Sequence, residues 1–250
     1  MEPVRLNKYL SDIGVCSRRE ADRKTEEGRI TVNGLRAGLG VKVTDADEIL
    51  IDGKPVEKRT TAKVILAVNK PAGVVCTAKS FRGEKNIVDM VGYPERLYPV
   101  GRLDKDSEGL IFLTNDGAFA KAVTDAAGKH EKEYEVTVKR DLTEQFLKRM
   151  SKGIYIEELE RQTAACKVTK TGEKSFRIVL TQGLNRQIRR MCEHCGNEVV
   201  KLKRVRIMTV PLGDLKEGTW REITGKEKAE LLRAAGNGKS EKAAGGRRNG

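Results

Sequence analysis

The sequence predicts an α+β protein made of two structural units, a small one followed by a larger one with a largely antiparallel sheet. The 250 residues are enough for one accessory domain and one catalytic domain. The pattern changes near residue 63, from two short helices to strands with short helices between them. Because long helices do not separate these strands, a doubly wound parallel sheet is not expected. We therefore place the boundaries at residues 1–60, 64–235 and 236–250.

Two helices and two short strands are predicted in the first unit. Apolar residues recur at helical spacing over residues 6–13, and Gly14 can provide the left-handed residue that ends a helix. The sequence Ser-Arg-Arg-Glu at 17–20 is a capping box that begins a second helix, which ends before Gly28. Strands are expected at residues 29–32 and 49–51, because each is followed by an Asn-Gly or Asp-Gly turn.

The second unit is predicted to alternate strands with a few helices. Polar residues 57–63 form the expected linker before it, and the basic, low-complexity residues 236–250 are expected to be a disordered tail. Strands are expected at 64–68, 109–113, 133–138, 176–180 and 199–207, and helices at 143–150, 187–194 and 226–235.

Composition favours a polyanionic partner. The chain has 49 Lys and Arg against 36 Asp and Glu, a formal net charge of +13. This charge favours a nucleic acid as the binding partner over a membrane surface. The first ten residues lack the apolar segment of a secretory signal, and no apolar stretch is long enough to span a bilayer. Five cysteines in such a chain indicate reduced thiols. We expect a cytoplasmic protein without membrane attachment, with a monomer as the default.

Basic residues are concentrated within residues 5–24 of the first unit. Two short helices with a basic face suit the shape of structured RNA, although the charges alone fit a merely solvated helix face equally well. Arg19 and Arg23 are four residues apart and so share one face of the second helix. The candidate RNA-binding residues here are Arg5, Lys8, Arg18, Arg19 and Arg23.

The order of residues in this unit resembles the S4 domain, the α-L RNA-binding module. The resemblance covers roughly residues 4–52 and rests on three segments: Arg-Leu-Asn-Lys-Tyr-Leu, Ser-Arg-Arg-Glu-Ala-Asp and Gly-Arg-Ile-Thr-Val-Asn-Gly. Thr25 departs from the pattern, because the family usually has an aliphatic residue facing the core there. A buried threonine hydroxyl can bond back within its own helix, so we expect only a cost in stability.

Three segments of the second unit carry candidate chemistry. Residues 101–117 read Gly-Arg-Leu-Asp-Lys-Asp-Ser-Glu-Gly-Leu-Ile-Phe-Leu-Thr-Asn-Asp-Gly, and any one Asp here, taken alone, is typical of a turn. Residues 183–191 are rich in arginine, and we expect some of these to contact phosphate and one to pair with a carboxylate. Tyr134, near the start of a predicted strand, offers a ring on which a base can stack. The arginines are Arg186, Arg189 and Arg190.

Together these segments resemble the pseudouridine synthases, in the RsuA-type branch that joins an S4 domain to the catalytic domain. The resemblance covers about residues 4–235. Its motifs are Asn-Lys-Pro-x-Gly at 69–73, Gly-Arg-Leu-Asp at 101–104, Lys-x-Tyr at 132–134 and Arg-Gln-Ile-Arg at 186–189. The segments at 104–109, 130–134 and 190–194 are most similar to the members of this branch that modify large-subunit ribosomal RNA.

The resemblance implies isomerisation of uridine to pseudouridine in RNA, with Asp104 as the essential residue. Asp104 would remove the C2′ proton of a flipped-out uridine or attack C1′ or the base, and the sequence leaves these routes open. Arg189 would pair with Asp104 and keep it ionised. Tyr134 would stack on the uracil and assist the final proton removal, Ile188 would pack against the same ring, and Arg102 would hold the nucleotide or its phosphate.

The resemblance also implies that Lys70 and Pro71 shape the site, while Asp106 and Asp116 keep the interpretation of turn residues. The implied partner is ribosomal RNA, with 23S RNA favoured and transfer RNA open. No cofactor is expected, because the reaction changes no redox state and the chain has no nucleotide or methyl-donor motif.

The sequence also suggests a metal site and two other functions. Cys-Glu-His-Cys at 192–195 suggests zinc, but a structural site needs four ligands and no second pair has suitable spacing, so we predict no metal and interpret these cysteines as core thiols. A methyltransferase with an S4 domain would need a glycine-rich turn that the chain lacks. A catalytically inactive RNA-binding or ribosome-assembly factor fits the charge and the S4-like unit equally well, and activity alone separates it from an enzyme.

Overall fold

The computed structural model describes residues 2–57, 62–77 and 83–236. The chain divides into two compact units, residues 1–63 and 64–250. The predicted tail beyond residue 236 and the middle of the predicted linker, residues 58–61, lie outside the described residues. None of the described helices is both long enough and apolar enough to cross a membrane.

The first unit contains two helices and short antiparallel strands. Its four-stranded sheet has the order β3-β2-β5-β6, and β1 pairs separately with β4. The two predicted helices and the strands β2 and β5 are present. The other four strands have two residues each, too short for an alternating pattern to be visible in the sequence. The elements are β1 (Val4–Arg5), α1 (Leu6–Asp12), α2 (Arg18–Glu26), β2 (Ile30–Val32), β3 (Leu35–Arg36), β4 (Lys42–Val43), β5 (Ile49–Ile51) and β6 (Lys54–Pro55).

Local signals position α1 and α2 as expected. Gly14 follows α1 with a φ of 80°, in the left-handed region that favours glycine. The side chain of Ser17 accepts a hydrogen bond from the Glu20 amide at 3.1 Å, the N-cap bond of the capping box. Thr25 is buried, and its hydroxyl donates to the Ala21 carbonyl at 2.8 Å. This back-bond satisfies the hydroxyl and confirms how the departure from the S4 pattern is tolerated.

The second unit consists of a mixed sheet and, among the described residues, five α-helices. All five predicted strands and the three predicted helices are present. Helices α3 and α4 were not anticipated, because α3 has only five residues and α4 begins at a glycine. The elements are β7 (Ile65–Lys70), α3 (Ile87–Val91), β8 (Tyr98–Val100), β9 (Glu108–Thr114), α4 (Gly117–Thr124), β10 (Lys132–Val138), α5 (Glu144–Lys152), β11 (Tyr155–Ile156), β12 (Arg161–Gln162), β13 (Lys167–Gly172), β14 (Ser175–Leu180), α6 (Gln187–His194), β15 (Val199–Ile207), β16 (Val210–Pro211), β17 (Trp220–Glu222) and α7 (Gly225–Ala234).

The main sheet has the order β13-β14-β10-β15-β9-β7-β17, with β8 and β16 paired at its sides. Its neighbours are antiparallel except β9 and β15, which confirms a largely antiparallel sheet. The parallel pair has only two registered positions, Glu108 with Lys203 and Gly109 with Arg204. This short pairing brings the first residues of β9 against the middle of β15.

Three apolar clusters form the core of the second unit. One contains residues of β7, β9, α4 and α7. A second joins β10, β14, α5, α6 and β15. The third joins β7 and β9 to α3 and Leu103. Tyr134 on β10 packs against both the second and the third clusters, so its ring lies where these two clusters meet.

Candidate active site

The candidate active site is built on the Asp104 loop, residues 101–107, which connects β8 to β9. Main-chain groups hold the loop: the Leu103 amide donates to the Cys76 thiol at 3.3 Å, and the Gly73 amide donates to the Lys105 carbonyl at 2.6 Å. The Ser107 amide donates to the Asp104 carbonyl at 3.1 Å. The side chain of Asp104 remains 37% exposed, so its carboxylate can meet a ligand.

Lys70 supports this loop from the protein interior. Its side chain is fully buried, and its ammonium donates to the carbonyls of Pro71 and Val74 at 2.8 Å and to that of Lys105 at 3.4 Å. Burial lowers the pKa of this ammonium, and nearby groups that include Cys76, Asp106 and Asp104 oppose the shift. These bonds tie the end of β7 to the Asp104 loop, so the lysine shapes the site from within the protein.

Arg186 faces Asp104. It precedes α6 with a φ of 50°, a left-handed conformation that is uncommon for a residue with a side chain. Its guanidinium lies 3.8 Å from the Asp104 carboxylate and 3.3 Å from that of Asp106. The residue is exposed, so the cation is available to a substrate phosphate as well as to the two carboxylates.

The expected pair between Arg189 and Asp104 is wrong. Arg189 lies 3.2 Å from the carboxylate of Asp106 and also donates to the Ser107 hydroxyl at 3.4 Å and to the Val199 carbonyl at 3.3 Å. It lies one turn inside α6 on the buried side of the helix, where it meets the end of the loop. Arg186, at the exposed start of α6, takes the position beside Asp104.

The interpretation of Asp106 as a plain turn residue is therefore also wrong, because its carboxylate holds two arginines. The sequence did carry a signal for this, since a second acid stands two residues after Asp104 and two arginines three apart follow later. Asp116 keeps its structural interpretation. Its side chain caps α4 by accepting from the amides of Ala118 and Phe119.

Tyr134 and Ile188 lie on the core side of the site. Tyr134 is half-buried, and the guanidinium of Arg204 lies over its ring at 6.0 Å from the centroid. Ile188 is 4% exposed and belongs to the apolar cluster against which Tyr134 packs. Contact of either side chain with a uracil ring stays a prediction.

A pocket of about 620 Å³ opens beside the side chains of Asp104, Asp106 and Arg186. This volume is within the range of small-molecule sites and can admit a nucleotide. Arg102, the remaining candidate of the loop, is exposed next to Asp104. The pocket is lined by Ala72, Gly73, Asp104, Lys105, Asp106 and Arg186.

The other candidates are not among the residues that line this pocket. Arg190 is 23% exposed and lies 3.4 Å from Glu158, so a carboxylate already partners it. In the first unit all five candidates are exposed, Lys8 pairs with Asp12 at 2.7 Å, and Arg23 pairs with Glu27 at 2.9 Å. These five are Arg5, Lys8, Arg18, Arg19 and Arg23.

The cysteines near the end of α6 are part of the core. Cys192 is fully buried in the second cluster, and burial raises the pKa of its thiol. Burial also raises the pKa of the Cys195 thiol. Within residues 2–57, 62–77 and 83–236, no three His, Cys, Asp or Glu side chains are grouped to hold a metal ion.

Known proteins resemble the chain over nearly its whole length. Residues 4–49 match the S4 domain family, and residues 64–194 match the family described as RNA pseudouridylate synthase. The chain is 50% identical over 240 residues to the dual-specificity RNA pseudouridine synthase RluF of Escherichia coli K12, covering 95% of this chain and 81% of that protein. It is 37% identical over 242 residues to the ribosomal large subunit pseudouridine synthase B of Bacillus subtilis, covering 94% of this chain and 98% of that protein.

A solved structure shares the fold. The crystal structure of a pseudouridylate synthase superposes with a TM-score of 0.68 at 26% identity, covering 92% of this chain and 99% of that one. The S4-like first unit, the four motifs around the Asp104 loop and these matches agree. The chain belongs to the RsuA-type pseudouridine synthases, which carry an N-terminal S4 domain.

Proposed function

We propose that this enzyme converts a specific uridine of ribosomal RNA to pseudouridine, with Asp104 acting on a flipped-out nucleotide. The observation that carries the proposal is the half-exposed Asp104 carboxylate at the edge of a nucleotide-sized pocket, facing the cation of Arg186. A carboxylate beside a cation, on a loop that three hydrogen bonds from main-chain amides hold, suits a base or nucleophile.

The reaction needs little beyond these groups. The N1–C1′ bond breaks, C5 bonds to C1′, the C5 proton leaves and N1 gains a proton, so no cofactor has to supply or accept atoms. Asp104 either takes the C2′ proton to give a glycal or attacks C1′ or the base, and both routes start from the same carboxylate. Flipping the nucleotide out of its stack is required because a paired uridine is out of reach.

The other residues of the site hold this arrangement. Arg186 pairs with Asp104 in the free enzyme and can bind the phosphate of the flipped nucleotide. Arg189 fixes the far end of the loop through Asp106 and Ser107. Tyr134, at the junction of two apolar clusters, offers its ring to the uracil, and Ile188 supports that side of the site.

Large-subunit ribosomal RNA is the proposed substrate. One relative is named for the large ribosomal subunit and another as a dual-specificity RNA pseudouridine synthase, which keeps transfer RNA as a second candidate. The exposed arginines and lysines of the S4 domain would bind the RNA backbone, and Arg102 and Arg190 would bind closer to the target. A ribosomal RNA substrate implies a cytoplasmic enzyme.

The test is tritium release from RNA carrying [5-³H]uridine, because C5 loses its hydrogen only if the new carbon–carbon bond forms. Asp104→Asn should lower the rate by about a thousandfold or more, since an amide can act neither as base nor as nucleophile. Binding of the same RNA should be largely unchanged. Separate transcripts of 23S ribosomal RNA, 16S ribosomal RNA and transfer RNA identify the substrate.

The matched control is Asp116→Asn. Asparagine caps a helix as well as aspartate, so this variant should keep its fold and its rate. Wild-type turnover by Asp104→Asn would disprove the proposed mechanism. Absence of tritium release from every RNA by the wild-type protein would instead favour the inactive RNA-binding factor.

A further inference from the structure

Arg204 is a buried arginine without a carboxylate partner among the described residues. It is 3% exposed on β15, its Nε donates to the Leu110 carbonyl at 2.7 Å, and its Nη2 is buried without any hydrogen-bond partner. A buried guanidinium left in this state costs stability, because its desolvation is not repaid by a counter-charge. Such a residue needs an explanation beyond the stability of the fold.

The backbone of this region is arranged around Arg204. Gly109, directly after the first residue of β9, has a φ of 104°, and a Cβ there would collide with the main-chain oxygen and nitrogen of Arg204. Only glycine allows β9 and β15 to approach this closely. The parallel pairing ends at this point, and the Arg204 side chain reaches the next carbonyl of β9, that of Leu110.

A bulge directs Arg204 to the side of Tyr134. Glu133 pairs with Arg206, but its neighbour Tyr134 pairs with Arg204, so Val205 is the extra residue on β15. Paired residues share a face of a sheet, which places Arg204 on the face of Tyr134 and Arg206 on the opposite face. There the Arg204 guanidinium lies over the tyrosine ring, 6.0 Å from its centroid, at the outer limit of a cation–π contact.

We propose that Arg204 is a positioning residue for the isomerisation. It holds the ring of Tyr134 at a fixed position relative to β9, the strand that follows the Asp104 loop. Its Nε donates to β9 and its guanidinium lies over the ring on β10, so one side chain sets the distance between the two elements of the site. This inference rests on the proposed function. It adds a residue that none of the four motifs contains.

The charge around Arg204 fits this role. Burial, and next the charge of Arg204, lower the pKa of Lys132, the residue two before Tyr134. No described carboxylate lies within ion-pair distance of Arg204; its Nε donates to the Leu110 carbonyl and its guanidinium lies over the Tyr134 ring. These two interactions link the side chain to β9 and to Tyr134.

The test uses Arg204→Met and Arg204→Lys, with Arg206→Met as the matched control. Arg206 is on the same strand but pairs with Glu131 and Glu133 on the opposite face. Under single-turnover conditions, Arg204→Met should lower the rate of tritium release about tenfold to a hundredfold, as expected of a misplaced catalytic group. The dissociation constant for RNA should change by less than about twofold, because the phosphate-binding side chains are intact. Arg204→Lys keeps the charge behind the ring and should have an intermediate rate.

A spectroscopic measurement shows whether the effect passes through Tyr134. The chain has five tyrosines, which can be replaced by 3-fluorotyrosine, and Tyr134→Phe assigns the ¹⁹F signal of interest. Arg204→Met should move that signal and leave the other four in place, while Arg206→Met should not move it.

A wild-type rate in Arg204→Met overturns the inference, and so does a reduced rate with an unmoved Tyr134 signal. If Arg204→Met does not fold, Arg204→Lys decides: a lower rate with a moved signal supports the inference, and wild-type behaviour overturns it. Wild-type protein and Asp104→Asn are assayed in parallel. Absent release by wild-type protein defeats the proposed function itself, whereas normal release by wild-type protein and by Arg204→Met defeats only the inference.

Discussion

Lys70 is a fully buried ammonium group whose hydrogen-bond partners are main-chain carbonyls. Carbonyl oxygens carry only partial charge, so the directed hydrogen bonds of the ammonium group, and not an ion pair, hold the lysine in place. Arg189, in contrast, has a carboxylate partner, and it joins Asp106 to main-chain and hydroxyl groups at the end of the loop. At the scale of single residues, the Asp104 loop is positioned by buried cations that never need to touch a substrate.

Lys70→Met should lower the free energy of unfolding by about 1–3 kcal/mol, because it leaves buried carbonyls without their donor. The measurement is urea unfolding followed by circular dichroism. Lys139→Met is the control, since Lys139 pairs with Glu198 on the surface and such pairs contribute about 0–1 kcal/mol. Equal stabilities of the two variants would contradict the supporting role of Lys70.

At the scale of elements, a bidentate ion pair connects the edge strand β17 to the last helix, α7. The Arg221 guanidinium lies 2.6 and 2.7 Å from the two oxygens of Glu227. The hydrogen bond from Arg221 lowers the pKa of the Glu227 carboxyl below its ordinary 4.5. The pair therefore stabilises the folded state above that ordinary value, and its contribution disappears as the pH falls through the lowered pKa.

Glu227→Gln should lower the free energy of unfolding by about 0.5–1 kcal/mol at pH 7, a small value because solvent screens a pair that is one-third exposed. The difference from wild type should shrink steadily as the pH is lowered below about 4.5. Unfolding curves at pH 7, 5 and 3 measure this. Glu230→Gln on the same helix, where the Lys226 partner is almost fully exposed, should have no measurable effect. A Glu227→Gln deficit independent of pH would contradict the ion-pair explanation.

At the scale of the whole molecule, most of the net charge of +13 belongs to residues 64–250, because residues 1–63 contain 13 Lys and Arg against 11 Asp and Glu. Some of the basic side chains already have acidic partners, as Lys8, Arg23 and Arg190 do. Arg18 and Arg19, at the start of α2, are exposed. We expect residues of this kind to contribute most to RNA affinity, because phosphate does not have to displace a carboxylate from them.

The double variant Arg18→Gln/Arg19→Gln should weaken RNA binding and flatten its salt dependence. Two lost phosphate contacts reduce the slope of log affinity against log salt by about 1.5–2. Filter binding between low and moderate salt measures the slope. The single-turnover rate at saturating enzyme should stay at the wild-type level, because both residues belong to the S4 domain. An unchanged slope would show that this face of α2 does not bind the RNA backbone.

The sequence by itself determined the architecture and the chemistry. Hydrophobic periodicity, the capping box at Ser17 and turn glycines located the strands and helices that have a clear apolar pattern, because these signals act over a few neighbouring residues. Local motifs selected Asp104, Tyr134 and the arginines of α6. Most strands of two or three residues, the six-residue β13 and the helices α3 and α4 were not predicted. The shortest elements are formed by pairing and packing, and β13 has no buried residue, so no apolar pattern marks it.

The tertiary structure decided which charged side chains lie beside each other. Only the fold showed that Arg186 faces Asp104 while Arg189 holds Asp106, because the choice depends on which side of α6 faces the loop. Arg204 is the clearer case. Its relation to Tyr134 arises from a bulge in β15 and a close strand approach at Gly109, which bring Arg204 against residues 70 and 95 positions earlier in the chain. Such long-range register leaves no local pattern in a single sequence.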